Sequence, residues 1–332
     1  MTIYEIAEAA GVSISTVSRV MNTPEKVSPS TRSRVEEVLK KYNYVPSSLA
    51  RGLVKSETKT VGILLPNIQK SFFHTTAQVL EKAFFEQGYM SLLCCIEENI
   101  ECEMEYIRML AEKKVDGLVL VSSIFSTPKV FRSLQNYMPN TPAVIINGTS
   151  SGPNIYTVFT DHRPGIQKIF DHLEERGYQR VYLYYTSKSQ NTAKKIEVFQ
   201  EIIEQRHSDL KAAEYIVHGD ETLDAIRNFA KALQPKLTVR TAVLFANDEL
   251  AAMGCRAFQE KGLAIPGDIG IVAYDNVFPA LHQISNPPIT SLDTKVPVLA
   301  LQASYTLHNI FTQQPCSKGI SVIPELVVRS ST

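Results

Sequence analysis

From residue 59 onward, short apolar runs alternate with stretches of helical period, and this alternation constrains the fold more than any other feature of the chain. Strands are expected at 60–66, 90–96, 115–122 and 143–147, with helices between them at 73–87, 101–113 and 128–137. A second series places strands at 156–160, 180–185, 214–217, 241–246 and 270–274, and helices near 164–176, 192–206, 222–233 and 248–261. A strand that is apolar on both faces needs cover on both faces. Helices inserted between successive strands supply it when the sheet is parallel. Two such series predict two doubly wound halves. Sheets of this kind bind ligands outside the carboxyl ends of their strands, so two facing halves predict one shared cleft, a small-molecule ligand and hinge closure. After Pro287-Pro288 come a short strand at 289–293, a helix at 296–311 and a last strand at 320–328. That tail is too small for a third domain and is expected to cross back and complete both halves.

The first sixty residues follow a different pattern. Thr2-Ile3-Tyr4-Glu5 is a capping box, and the helix it starts carries Ile6, Ala7 and Ala10 on one stripe before Gly11 ends it. Ser13 caps a second helix from Ile14 to Met21, with Val17 and Val20 turned inward. Ser28 and Pro29 open a third, whose Val35, Val38 and Leu39 close a small core against Ile6, Ala10 and Val17. Helix, glycine turn, helix is the helix-turn-helix unit. The outer face of the second helix carries Ile14, Ser15, Thr16, Ser18, Arg19 and Asn22, none of them acidic. Such a face fits the major groove, where hydroxyls reach phosphates or base edges and Arg19 can pair in a bidentate way with guanine. The plainer alternative is a solvated face of a small protein-binding bundle. Pro46 breaks the third helix, and 47–53 is a two-turn segment with Leu49 and Leu53 at i, i+4. Alone in water it is too short to be stable. It is either a linker packed on the next domain or a hinge helix whose Leu53 wedges into the minor groove.

Charge distribution agrees with a head that meets a polyanion. Residues 1–60 hold nine Lys/Arg against six Asp/Glu, while the whole chain balances to zero. The five cysteines form no C-x-x-C pair and the seven histidines no H-E-x-x-H, so a catalytic metal or other cofactor is not expected. Reduced thiols, with no signal-peptide layout and no membrane-length apolar run in the sequence, lead us to expect a cytoplasmic protein. No G-x-S-x-G, P-loop or G-x-G-x-x-G occurs, so an enzyme is not expected.

With these elements in hand, the chain resembles the LacI/GalR (lactose/galactose repressor) family of transcription regulators over essentially its whole length. The resemblance is carried by Thr2-Ile3-Tyr4-Glu5-Ile6-Ala7, Gly11-Val12-Ser13, Thr16-Val17-Ser18-Arg19-Val20-Met21-Asn22, Val27-Ser28-Pro29, Thr31-Arg32 and Tyr44-Val45-Pro46. It continues at Val115-Asp116-Gly117-Leu118, Asn247-Asp248-Glu249-Leu250-Ala251, Tyr274-Asp275-Asn276 and Pro324-Glu325-Leu326-Val327-Val328-Arg329. It implies an all-α helix-turn-helix head (1–45), a hinge and linker (46–58) and a periplasmic-binding-protein-like α/β core of two doubly wound parallel-sheet subdomains (59–332). The first subdomain is expected at 59–158 plus 292–319 and the second at 159–291 plus 320–332. It further implies a homodimer on a pseudo-palindromic operator in double-stranded DNA, contacted by Tyr4, Ser13, Ile14, Ser15, Thr16, Ser18, Arg19, Asn22, Ser28, Thr31, Ala50 and Leu53.

Effector contacts are expected just after strands, at Phe72, Phe73, Asp161, Lys195, Phe245, Asn247 and Asp275. The resemblance suggests that an aromatic at 72–73 stacks on the ligand, and Asp275 suits two sugar hydroxyls. Core packing for one phenylalanine and helix caps for Asp161 and Asn247 are the alternatives. Two positions depart from the family pattern. Lys195 stands where an arginine is usual, and Lys70-Ser71 where Asn-Pro is usual. A lysine offers a point charge rather than a planar fork. With Lys188 and Lys194 nearby, these lysines suggest an acidic or phosphorylated sugar derivative, unless they are simply solvated. A transport sugar-binding protein would lack the head. Control of an unused cleft by a protein partner stays open.

Overall fold

The computed structural model describes residues 2–44, 57–96, 100–149, 152–206, 211–277 and 279–332. The chain divides into two compact units between Thr58 and Lys59. In the first, helices α1 (Ile3–Ala9), α2 (Ile14–Asn22) and α3 (Pro29–Lys41) surround a core of Ile6, Ala7, Ala10, Val17, Val20 and Val35. Each start is set by local chemistry. Thr2 N–H donates to Glu5 Oε2 at 2.7 Å and Thr2 Oγ1 accepts from Glu5 N–H at 3.4 Å, closing the capping box. Ser13 and Ser28 cap α2 and α3, accepting from Thr16 and Thr31 N–H. Gly11 takes φ +59°, where a side chain would be strained, and this lets α1 and α2 turn on each other. A short 3₁₀ turn, Pro24–Lys26, separates α2 from α3. Ala50, Leu53 and the rest of the expected hinge at 46–56 lie outside the described residues, as does the side chain of Asn22.

The second unit holds two six-stranded sheets. The first contains β1 (Thr60–Leu65), β2 (Met90–Cys95), β3 (Gly117–Val121), β4 (Ala143–Ile146), β5 (Ile155–Thr160) and β11 (Gly319–Val322), in the order β2-β1-β3-β4-β5-β11. The second contains β6 (Arg180–Tyr185), β7 (Ile216–His218), β8 (Thr241–Phe245), β9 (Ile269–Asp275), β10 (Thr290–Asp293) and β12 (Glu325–Val327), in the order β7-β6-β8-β9-β10-β12. All pairings are parallel except β10–β12. Helices α4 (Ser71–Glu86), α5 (Ile100–Glu112), α6 (Pro128–Tyr137) and α12 (Val296–Phe311) belong to the first sheet's layers. Helices α7 (His162–Glu175), α8 (Gln190–Arg206), α9 (Leu223–Leu233) and α10 (Asp248–Gln259) cover the second, followed by the short α11 (Pro279–Ile284). The central strands β3, β4 and β8 are buried at every position, as cover on both faces requires.

The expected last strand at 320–328 is corrected to two strands in different sheets. Gly319–Val322 pairs with β5, Gly319 opposite Thr157, whereas Glu325–Val327 runs antiparallel to β10, Ser291 opposite Val327. Residues 320–322 therefore belong to the first subdomain, not the second. Pro324, without an N–H, breaks the ladder between them, and Ile323 is 55% exposed at the crossing. The strand expected at 214–217 begins later, because Ala212–Tyr215 forms a 3₁₀ turn.

Candidate functional site

In the head, the outer face of α2 is open. Ser13, Ile14, Ser15 and Arg19 are exposed, Thr16 and Ser18 half-buried. Tyr4 on α1 is 69% exposed, far more than a core aromatic tolerates. Ser13 Oγ lies 2.8 Å from Ser15 Oγ and 2.9 Å from Thr16 Oγ1, and Ser28 Oγ donates to Thr31 Oγ1 at 2.9 Å. Each cluster sits on a helix N-terminus, where free amides and the dipole attract an anion such as a phosphate. The first turns of α2 and α3 carry no acidic residue to compete.

In the core, the carboxyl ends of β1, β3, β4, β6, β8 and β9 converge on one cleft enclosing about 160 Å³. That is below the ~300–1,000 Å³ of pockets for drug-sized ligands and suits a small polar molecule. Phe72 and Phe73 form one wall, their rings edge to face with centroids 5.5 Å apart. Lys195, Asn247 and Asp275 also line it. Asn247 has a second duty, since its Oδ1 accepts from Leu250 N–H at 2.8 Å and caps α10.

Two expected contacts are corrected. Phe245 is fully buried beneath the cleft, not in its wall. A Cβ on Gly254 would stand 2.3 Å from its ring, so the glycine exists to let α10 close on this phenylalanine. Asp161 does not line the cleft; it caps α7, accepting from Arg163 N–H at 3.2 Å. Of the four lysines that suggested an anionic ligand, Lys188 and Lys194 are exposed and do not line the cleft. Lys70 does, but is paired with Glu221 at 3.1 Å.

The charges left in the cleft are therefore Lys195 and Asp275. Lys195 Nζ lies 3.8 Å from the Tyr274 ring centroid and donates only a long 3.5 Å bond to Ala246 O. Burial depresses its pKa, opposed by Asp275 and Asp248. Asp275 accepts from Thr294 Oγ1 at 3.4 Å, and burial raises its carboxyl to about 6 against the pull of Lys195. The two make no salt bridge within 4.0 Å among the described residues, so both face the cleft with hydrogen-bonding capacity to spare. Asp248, although adjacent, is spent: it accepts from Asn276 N–H, Val277 N–H and Ser291 Oγ at 2.8–3.1 Å, with His282 Nε2 at 3.0 Å.

Sequence reasoning missed the hydroxyl and amide lining: Ser122, Ser123, Asn147, Thr186, Ser189 and Asn191. Serine and asparagine after a strand look like ordinary turn residues. Their unusual backbone is invisible in sequence: Ser122, Asn147, Asp275 and Asn276 all have φ between +50° and +145°. Such conformations cost about 1–3 kcal/mol each and gather at ligand sites. Contacts also cross the cleft. Ser71 N–H and Oγ donate to Glu249 Oε1, Gln190 Nε2 to Ser126 O at 3.1 Å, and Asn191 N–H to Ser123 Oγ at 3.0 Å.

Residues 58–324 match the family profile described as periplasmic binding proteins and sugar binding domain of the LacI family, and residues 2–47 match bacterial regulatory proteins of the lacI family. The chain belongs to the LacI family. It is a DNA-binding transcriptional regulator with an effector-binding core. Among LacI-family relatives, it is 31% identical to the HTH-type transcriptional repressor PurR of Proteus mirabilis, covering 99% of this chain and 96% of that one. It is 30% identical to the ribose operon repressor of Halalkalibacterium halodurans, covering 100% and 97%. In structure it is similar to the Lac repressor dimer bound to operator and the anti-inducer ONPF, with a TM-score of 0.85 at 22% identity over 100% of this chain and 98% of that one.

Proposed function

We propose that this regulator is a cytoplasmic repressor that reads a pseudo-palindromic operator as a homodimer and is controlled by a small polyhydroxylated effector in the cleft. The observation that carries the effector class is the unpaired Lys195 ammonium and Asp275 carboxylate set among serine, threonine and asparagine side chains. One ligand hydroxyl donates to Asp275 while another oxygen accepts from Lys195, and Phe72 or Phe73 covers an apolar ring face. Glu221, Asp248, Glu249 and Asp275 outnumber Lys70 and Lys195 in the lining, which favours a neutral sugar over an acidic or phosphorylated one. Proteins of similar structure hold ligands of this kind, cellobiose in the regulator CelR and ribose in a LacI-family regulator of Enterococcus faecium.

In the head, Ile14, Ser15, Ser18 and Arg19 face the major groove, with Arg19 reading a guanine. The Ser13–Thr16 and Ser28–Thr31 clusters and Tyr4 hold the phosphates. One α2 reads only a few base pairs, so a second copy is needed for an operator of useful specificity. An apolar edge in the core supports such pairing. The edge strand β2 leaves Met90 67% and Leu93 48% exposed, beside Phe85 at 74% on α4. An apolar sheet edge of this kind invites a partner.

The test is a selection of duplex DNA from a random pool, paired with a thermal-shift screen of neutral pentoses, hexoses and disaccharides against their acids and phosphates. A palindromic consensus together with stabilisation by a neutral sugar is expected. No enriched sequence, or stabilisation by phosphorylated sugars alone, would overturn the proposal.

A further inference from the structure

Beneath the cleft lies a buried histidine that the binding proposal does not use. His162 opens α7 and is 5% exposed. Its Nδ1 is 2.6 Å from the Tyr274 hydroxyl and its Nε2 is 2.8 Å from Asn191 Oδ1. Burial, helped by the nearby positive charge of Lys195, lowers its pKa to about 3, so the ring is neutral and carries one proton.

The location of that proton decides which way Asn191 faces. Tyr274 is 1% exposed, and its hydroxyl meets no other acceptor among the described residues. Were the proton on Nδ1, the tyrosine oxygen would accept it and bury its own O–H without a partner, at a cost of about 1–3 kcal/mol. Tyr274 therefore donates to Nδ1. Nε2 then carries the proton and donates to Asn191 Oδ1. The Asn191 NH₂ group is left turned away from the histidine, unpartnered among the described residues, on a side chain that lines the cleft.

We infer that His162 is a positioning residue: the chain Tyr274–His162–Asn191 locks the Asn191 amide with its NH₂ toward the ligand and makes Asn191 a specificity-determining donor. The inference rests on the cleft being the effector site. Lys195 lies four residues further along α8, with its ammonium over the same Tyr274 ring. One buried tyrosine thus supports both groups, and these two side chains offer donors only, while the Thr192 hydroxyl between them is engaged with Ser189 Oγ at 3.1 Å. The effector turns toward α8 an oxygen that accepts without donating, such as a ring ether or carbonyl oxygen, and turns its hydroxyl donors toward Asp275.

The tautomer is measurable in the full-length chain with ¹⁵N-labelled histidine, from two-bond ¹H–¹⁵N correlations at pH 7 without ligand. His162 is identified as the pattern missing from His162→Gln. If that variant does not fold, Tyr274→Phe identifies it as the pattern that changes. The expected result is a neutral ring protonated at Nε2 alone in the wild type, with the Nδ1 resonance shifting in Tyr274→Phe as its hydrogen-bond donor is lost. A wild-type ring protonated at Nδ1 alone would turn the Asn191 carbonyl to the cleft, and a ring protonated at both nitrogens would show that Tyr274 does not donate to it; either result overturns the inference. The spectrum is read without effector, so failure of the sugar screen and failure of this relay are distinguishable.

Discussion

Asp275→Asn should make the core more stable while destroying its response to ligand. Burial lifts the carboxyl of Asp275 from 3.8 to about 6. The unfolded chain ionises this group at the lower value, so between the two values it releases a proton that the folded chain keeps. Folding stability therefore falls as pH rises through that window, and below 3.8 the penalty vanishes. At ~1.4 kcal/mol per pKa unit, the penalty is about 3 kcal/mol at pH 7.5 and roughly half of that at pH 5. Asparagine keeps the shape and the acceptor for Thr294 and tolerates the +98° φ of this position, but it never ionises. Urea unfolding of wild type and variant at both pH values should show the variant ahead by up to about 3 kcal/mol at pH 7.5, less the support that Lys195 loses with the carboxylate, and ahead by less at pH 5. A variant no more stable at pH 7.5, or an advantage that does not shrink on acidification, would show that this carboxyl is not held in a costly environment.

Two further outcomes are expected. Arg19→Ala should cost about 1–3 kcal/mol on the selected operator and much less on random DNA, as fluorescence anisotropy titrations would show; equal losses on both would make Arg19 a phosphate contact only. Phe245→Ala should destabilise the core by about 3–5 kcal/mol in chemical denaturation, because it empties a fully buried site against Tyr184 and Gly254; a loss under about 1 kcal/mol would return Phe245 to the ligand wall.

The head was legible almost residue by residue because its signals are local. Thr2 with Glu5, Gly11, Ser13 and Ser28-Pro29 each state where a helix begins or ends. The sheets were legible from their apolar runs. The cleft was legible only as a place. Phe245 and Ala246 differ by one residue and face opposite ways, a parity that a continuously apolar strand does not display. Asp161 and Asn247 are both cap residues by chemistry, and only the distance across the fold separates the one that also faces the ligand. His162 gave no signal, because its partners come from 29 and 112 residues away.

The splitting of the final apolar run between two sheets has a mechanical consequence. The polypeptide passes from one lobe to the other after β5, after β10 and again at Ile323-Pro324, the first two in opposite directions. The crossings leave from paired strand ends, Thr160 opposite Val322 and Asp293 opposite Glu325, and tethers placed together in this way predict swinging of the lobes rather than sliding. On the proposed function, effector occupancy would set an angle between the lobes, and one hydroxyl held at Asp275 would be magnified in proportion to distance from those tethers.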